Sequence, residues 1–539
     1  MPADRRAPAR VTAPVTASRA LARCSGRFTT LVFLALLAGP ADARQAAAGG
    51  EAPRRPSRVV LVMADDLGYG ELGSYGQTLI RTPNLDRLAA EGVRFTDHMS
   101  GSAVCAPSRC VLLTGLHTGH AFIRDNDEVN ERGDVWNDPE LEGQRPLPEG
   151  TVTLGHRLQA AGLATACVGK WGLGWVGSSG DPLRQGFDHF YGYNCQRVAH
   201  NYYPTHLWDD DEKVLLDNAP MKAHQRLPEG ADPASPESYA PYDRVDYAGD
   251  RMIGDALAWV REHADEPFFL YYASPVPHLA LQLPEEDLAV YEGAFEETPY
   301  VGDKGYLPHP TPRAAYAGMI TRLDREVGQL LDLLDELGLA DDTLVLFTSD
   351  NGPSWVGGVD RAFFGSAGGL RGRKAQLQEG GLRVPLLARW PGGLPAGTIC
   401  EVPSASWDLQ PTILEALGVP PAEVTDGRSL WPLLTGAEAP PGPAWDERVL
   451  YWELRRAGQA VRIGRWKGWR PRPDAPLQVH DLASDPAEAR DLAAERPEMA
   501  ARLEAALEAA RRPSVHFRLP GEPEPAPAED PAEGAEAGR

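Results

Sequence analysis

The chain has 539 residues, 76 of them acidic against 53 basic, for a formal net charge of −23. That length exceeds one small core and predicts a large catalytic domain with a smaller one attached. A field of this sign excludes nucleic acid and anionic membrane surfaces as general partners, while a local cationic pocket can still hold a small anion.

The N-terminus carries scattered arginines, the apolar run Thr29 to Gly39, and Pro40-Ala41-Asp42-Ala43. A basic region, a short apolar region and an Ala-x-Ala site predict a signal peptide over residues 1–43 and an exported protein, periplasmic or extracellular. The run is too short to cross a bilayer, so no stable membrane association is expected. Cleavage would remove six arginines and two aspartates, leaving a charge of about −27. Of the six cysteines, Cys24 would leave with the peptide. Cys110, Cys167, Cys195 and Cys400 permit two disulfides without requiring any.

Arg58 to Ala64 is a continuous apolar run, the mark of a strand covered on both faces, and it ends in Asp65-Asp66-Leu67-Gly68. Adjacent carboxylates beyond a buried strand are costly unless something positive pairs them. A helix follows over Thr82 to Glu91, with Pro83 in its first turn. Next comes Cys105-Ala106-Pro107-Ser108-Arg109-Cys110, then an apolar run closed by Thr114-Gly115. This predicts a helix whose free N–H groups face an anion, with Cys105 as nucleophile and its thiol pKa lowered by Arg109 and the helix start.

Thr151 to Gly162 reads as a helix, and Leu163 to Gly169 as a strand delivering Lys170. From Asp181 to about Pro241 no period is sustained, which predicts long loops over the active face. Pro267 to Ala273 is another strand, followed by a Pro-rich turn carrying His278. Arg313 to Leu337 holds apolar residues at helical spacing. Thr343 to Ser349 forms a buried strand ending in Asp350-Asn351, and a Gly-rich basic loop holds Lys374 before a strand at Leu386 to Trp390. A Pro/Gly/Ala-rich boundary at Thr435 to Pro443 separates a catalytic domain over 57–440 from a small α+β part over 441–515. Short antiparallel strands and a helix over Pro497 to Arg511 are expected there, and a disordered tail over 519–539.

Ligands of open α/β sheets gather at the carboxyl ends of strands, so Asp65, Asp66, Asp350 and Asn351 can converge. All-oxygen ligation selects Ca²⁺ or Mg²⁺ over zinc.

The string from Cys105 to Gly115 resembles the signature of the sulfatase family, Cys-x-Pro-Ser-Arg followed by Thr-Gly. Gly169-Lys170-Trp171 to Gly174 is similar to that family's second signature, and Lys374 precedes a Glu-Gly-Gly-x-Arg-Val-Pro segment of the same kind. The resemblance covers about residues 57 to 512. It implies an alkaline-phosphatase-like mixed sheet sandwiched by helices, with a small C-terminal antiparallel sheet plus helix. It also implies Ca²⁺, with Mg²⁺ the lesser choice, and oxidation of Cys105 to formylglycine by a formylglycine-generating or sulfatase-maturating enzyme. A sulfate ester on serine would be a stable dead end, whereas a hydrated aldehyde has a way out. One hydroxyl attacks sulfur, and deprotonating the other expels sulfate.

On this reading Asp65, Asp66, Asp350, Asn351 and the modified Cys105 hold the metal. Arg109, Lys170, His278 and Lys374 neutralise the sulfate, the last two on the leaving-group side. The family often has histidine where Gly172 stands, to deprotonate the second hydroxyl. His200 is the candidate substitute, with substrate binding as its alternative role. Trp175, Tyr202, Tyr203 and Trp208 would suit a sugar ring or simple packing, which points to a sulfated small molecule or glycan as substrate. A phosphoester or phosphonate hydrolase of the same superfamily and an inactive glycan-binding relative are the alternatives.

Overall fold

A computed structural model describes residues 54–129, 141–437 and 444–522. The expected leader, most of the expected tail and the boundary segment 438–443 lie outside them. None of the described helices is long and apolar enough to cross a membrane.

The strands are β1 (Arg58–Ala64), β2 (Val93–Phe95), β3 (His98–Met99), β4 (Ala164–Lys170), β5 (His189–Tyr193), β6 (His206–Asp209), β7 (Glu212–Leu215), β8 (Phe268–Ala273), β9 (Thr343–Ser349), β10 (Leu386–Arg389), β11 (Thr398–Cys400), β12 (Ser404–Ala405), β13 (Val449–Leu454), β14 (Gly458–Ile463), β15 (Trp466–Arg470) and β16 (Gln478–Asp481). Ten of them form one mixed sheet in the order β11-β2-β10-β9-β1-β8-β4-β5-β6-β7. Its centre is parallel: β1 pairs with β9 over seven residues and with β8 on its other side, and β4 continues the series. β10 runs antiparallel to β9, and β6 antiparallel to β5.

Every residue of β1, β8 and β9 is buried. Alternate side chains enter two cores, one on each face: Val59, Leu61 and Met63 join one, Val60, Val62 and Ala64 the other. A strand covered twice has no polar face, which is why these segments read as unbroken apolar runs.

The helix Pro312–Glu336 packs its apolar stripe on one face of the sheet, while Cys105–Thr114, with all ten residues buried, lies in the opposite core. The C-terminal strands β13-β14-β15-β16 form a separate antiparallel sheet. Their alternation serves two masters: Leu450 and Trp452 join the catalytic core, while Tyr451, Val461 and Val479 pack with Leu503 and Leu507 of the helix Pro497–Ala509.

Two expectations need correction. The stretch from Asp181 to Pro241 is not all loop, because β5, β6 and β7 extend the main sheet there. Their short runs alternate with polar residues at a sheet edge, where one face needs little apolar cover. The helix Ala248–Glu262 is absent from the expected elements, although Ala248, Met252, Ile253, Ala256, Trp259 and Val260 carry its buried stripe. Among the described residues all five cysteines are free thiols, so no disulfide braces the fold.

Candidate active site

Four adjacent parallel strands deliver the chemistry. Asp65 and Asp66 follow β1, Asp350 and Asn351 follow β9, Lys170 ends β4, and His278 lies just past β8. Asp66 adopts φ +67°, a left-handed turn rare for a residue with a side chain, and the tight turn keeps it beside Asp65 at the strand tip. The Asp66 N–H donates to Asp350 Oδ1 at 3.1 Å, and Asn351 Nδ2 donates to Asp66 Oδ1 at 2.7 Å, which locks the two strand ends together.

Cys105 opens its helix directly beneath these groups. Its Sγ lies 3.4 Å from Asp65 Oδ1 and 3.4 Å from Lys374 Nζ. Arg109, one turn on, places Nη2 2.9 Å from Asp350 and 3.3 Å from Asp65, and Nη1 donates to the Lys170 carbonyl at 2.6 Å. Lys170 Nζ donates to Asp65, and Lys374 Nζ lies 2.7 Å from Asp66 Oδ1.

Burial raises all three carboxylates, and the cations decide the outcome for each. Against the burial of Asp65, Lys170, His278, Arg109 and Lys374 together hold it below the usual range. Asp66 stays raised by burial in spite of Lys374, and Asp350 is pushed up to about 7 by burial and by the charge on Asp65. The Lys374 ammonium is disfavoured by burial, but Asp66 and the rest of the site hold its pKa well above normal.

The expected lowering of the Cys105 thiol does not occur. Burial first, and Asp65 next, push it up to about 12, outweighing Lys170 and Lys374. The expected free N–H groups are partly engaged as well, since Ala106 N–H donates to Asn126 Oδ1 at 2.9 Å. An unmodified Cys105 is therefore a neutral thiol at physiological pH. Native protein carrying that thiol is expected to resist iodoacetamide at pH 8, and rapid alkylation traced to its peptide would overturn this assignment.

The donor set fits a hard divalent cation. Asn351 Oδ1 is buried without a hydrogen-bond partner, an acceptor that a cation would satisfy. Ligand atoms of Asp65, Asp66, Cys105 and His278 lie within 4.8 Å of one another. Three carboxylates already face Arg109, Lys170 and Lys374, so a divalent cation would leave the site net positive, as an anionic ester requires.

A second group, His117, His120 and Asp426, lies beyond the far end of the same helix. Gly119 N–H donates to His117 Nδ1 at 3.1 Å, which puts the neutral ring's proton on Nε2 and spoils that nitrogen as a ligand. The His120 Nδ1 contact to Asp426, at 2.9 Å, makes this a hydrogen-bonded tie.

Gly172 has φ +83°, and a Cβ there would stand 2.6 Å from Gln196 Cγ. Gln196 fills the space a side chain would take, and an amide cannot act as a base. Its Oε1 and both polar side-chain atoms of neighbouring Asn194 are buried without partners, and the Gly172 N–H donates to the Asn194 carbonyl at 3.0 Å, a polar cluster that the sequence did not reveal.

His200 comes to the site from a different direction. Its ring is stacked on His278 at 4.9 Å, and its Nδ1 lies 3.1 Å from His224 Nε2. Burial and the neighbouring cations hold it neutral.

The aromatic residues expected to face a sugar are mostly packing. Tyr202 is fully buried, its hydroxyl donating to carbonyls of Pro275 and His278, and Tyr203 packs on Tyr247. Trp208 donates to Glu142 at 3.0 Å and lies under Lys213. Trp355 is instead 36% exposed, with the Arg373 guanidinium 3.7 Å over its ring, one residue from Lys374.

The family model described as Sulfatase matches residues 57–419. Human arylsulfatase A is 36% identical over 441 residues, spanning 80% of this chain and 78% of that protein. Steryl-sulfatase of Mus musculus is 33% identical over 459 residues, 76% of this chain and 68% of that one. Among solved structures, Ps i-CgsB in complex with k-i-k-neocarrahexaose superposes with a TM-score of 0.67 at 25% identity, covering 85% of this chain and 92% of that one. The phosphonate monoester hydrolase of Agrobacterium radiobacter shares the fold, with a TM-score of 0.56 at 24% identity, covering 84% and 95%.

A mixed sheet with buried carboxylates and cations gathered at its parallel strand ends defines a hydrolase of anionic esters. The chain belongs to the sulfatase family, and its activity is hydrolysis of a sulfate ester.

Proposed function

We propose that this protein is an exported, Ca²⁺-dependent sulfatase that uses formylglycine made from Cys105, with a sulfated carbohydrate as substrate. The observation that carries the reading is the position of Cys105 Sγ, 3.4 Å from both Asp65 at the tip of β1 and Lys374 of the Gly-rich loop. A neutral thiol at that point is a poor nucleophile, which is consistent with a need for oxidation by a maturation enzyme.

Asp65, Asp66, Asp350, Asn351 and the modified residue 105 would hold the metal, and Mg²⁺ is the weaker alternative. The bound ion supplies Lewis acidity toward a sulfate oxygen, and the hydrated aldehyde supplies the attacking oxygen. Arg109 is held rigidly by Asp350, Asp65 and the Lys170 carbonyl, so its contribution to the field costs no rearrangement during reaction. Lys170 and Lys374 place positive charge on two sides of Cys105 and bind the ester's anionic oxygens.

The two leaving-group residues differ. His278 Nδ1 donates to the Leu279 carbonyl at 2.7 Å, so the neutral ring presents a lone pair at Nε2, whereas Lys374 carries protons. Lys374 is thus the donor to the departing oxygen, while the neutral His278 can only accept, from a free hydroxyl of the leaving group. Exposed Trp355 under Arg373 offers a flat face for a sugar ring. The k-i-k-neocarrahexaose held by the structurally similar Ps i-CgsB supports a carbohydrate as the substrate class.

Mass analysis of the Cys105 peptide from the native source tests the central step. A product lighter than the encoded thiol and reactive toward hydrazides is expected, and an intact thiol in active enzyme would end the reading. Chelation with EDTA is expected to lower turnover by at least about a hundredfold, with recovery on Ca²⁺ and weaker recovery on Mg²⁺. Faster turnover of an aryl phosphate than of an aryl sulfate would favour the phosphoester alternative. Glycan binding without sulfate release from fully modified protein would favour an inactive relative.

A further inference from the structure

Three histidines run from the Asp66 side of the site toward the surface. His278 Nε2 is 3.8 Å from Asp66 Oδ2, His200 is stacked on His278 with 16° between the rings, and exposed His224 reaches His200 from the loop beyond β7. Tyr306 packs against all three, with its ring 4.5 Å from His224, 5.3 Å from His200 and 5.8 Å from His278.

The proton positions on this chain follow from its hydrogen bonds. The Tyr306 backbone N–H donates to His224 Nδ1 at 3.1 Å, so that nitrogen carries a lone pair. A neutral His224 then holds its proton on Nε2 and donates it to His200 Nδ1, 3.1 Å away. His200 Nδ1 is thereby an acceptor, and its own proton sits on Nε2. That nitrogen has no partner among the described residues, while burial holds the ring neutral. Tyr306 reaches His224 through φ +64°, a strained conformation for a tyrosine and of the kind retained at functional sites.

At the other end, His278 has its proton on Nδ1, donated to Leu279, and its lone pair on Nε2. The two stacked rings are therefore of opposite character. We propose that His224 is a positioning residue: by fixing His200 as the Nε2–H tautomer, it makes the His200–His278 pair a donor and acceptor couple that binds one hydroxyl oxygen on the leaving-group side of the substrate. The substrate class is an alcohol-derived sulfate whose leaving group carries a further, unesterified hydroxyl that both gives and receives a hydrogen bond, as a sugar ring does and a simple phenol does not. This rests on the sulfatase reading for the identity of the leaving group, but the tautomer does not. The same geometry makes His200 a donor, so it is not the base that stands in for a histidine at position 172.

The test is ¹⁵N NMR of histidine-labelled full-length protein carrying the Cys105 thiol, with the His200 signals assigned by their loss in His200→Gln. No turnover is needed, so a wrong sulfatase assignment leaves this measurement intact. The expected spectrum has His200 Nε2 protonated and Nδ1 unprotonated; the reverse overturns the proposal. Kinetics on the mature enzyme supply the second reading. His224→Gln keeps both bonds, its amide donating to His200 and its carbonyl accepting from Tyr306, and is expected to retain kcat/KM and the tautomer. His224→Glu can only accept from His200 and is expected to move the proton to Nδ1. His224→Leu removes the donor and is expected to lower kcat/KM by on the order of tenfold, with KM for a sugar sulfate rising more than KM for a phenol sulfate. Equal losses in the glutamine and leucine variants, or an unchanged tautomer in the glutamate variant, would overturn it.

Discussion

Cys105→Ala is expected to lower sulfate release by on the order of 10⁵-fold while leaving the fold in place. The thiol is fully buried but small, and its side-chain contacts are the 3.4 Å approaches to Asp65 and Lys374. Removing one sulfur atom leaves the charged network around it closed, because Asp65 keeps Lys170 and Arg109 while Lys374 keeps Asp66. Stability is expected to change by about 1 kcal/mol or less. The measurement is sulfate release at saturating substrate, beside a urea unfolding curve. Loss of activity with loss of fold would make Cys105 structural, and retained activity would remove it from the chemistry.

Arg109→Leu is expected to do damage of a different kind. This guanidinium is fully buried, binds Asp350 at 2.9 Å and Asp65 at 3.3 Å, and ties the end of β4 through the Lys170 carbonyl. Leucine is much shorter and carries no charge, so it opens a void and leaves Asp350 without its cation in a dry site. Breaking a buried pair in this way costs about 3–5 kcal/mol, unlike replacing both partners together. The midpoint of urea unfolding is therefore expected to fall. Turnover should drop by at least about a thousandfold, since a fixed donor of the anion site is lost. Adding Ca²⁺ should recover part of the stability, because an ion bound to the folded state alone offsets the carboxylates' repulsion. A variant with wild-type stability would show that Arg109 bears little of the charge balance.

The centre of the sheet was legible because a strand buried on both faces cannot alternate. Three such runs, each ending in a charged or amide group, announced β1, β4 and β9 with their site residues. Lys374 and His278 came only from motif context, since nothing local in a Gly-rich loop or a Pro-rich turn says where its side chain will go. The edge strands β5 to β7 were hidden by their shortness and mixed polarity.

The thiol of Cys105 departs from expectation because the sequence displays the neighbouring Arg109 but not the depth of burial or the facing Asp65, and those two win. Likewise Tyr202 reads as a sugar platform in sequence, yet its hydroxyl lies between two carbonyls in the core. The relay through His224 and Tyr306 joins residues 82 positions apart, and no periodicity encodes such a meeting.

The crowding at Gly172 bears on how this enzyme could be redesigned. Placing at this position the histidine that the sequence resemblance implies would, by a single change, force a bulky residue into a left-handed backbone turn and against Gln196 at 2.6 Å. The two positions form one volume that only one of them can occupy. A histidine grafted at 172 therefore calls for shortening residue 196 in the same step, and attempts that alter either alone should yield poorly folded protein or an unfilled void.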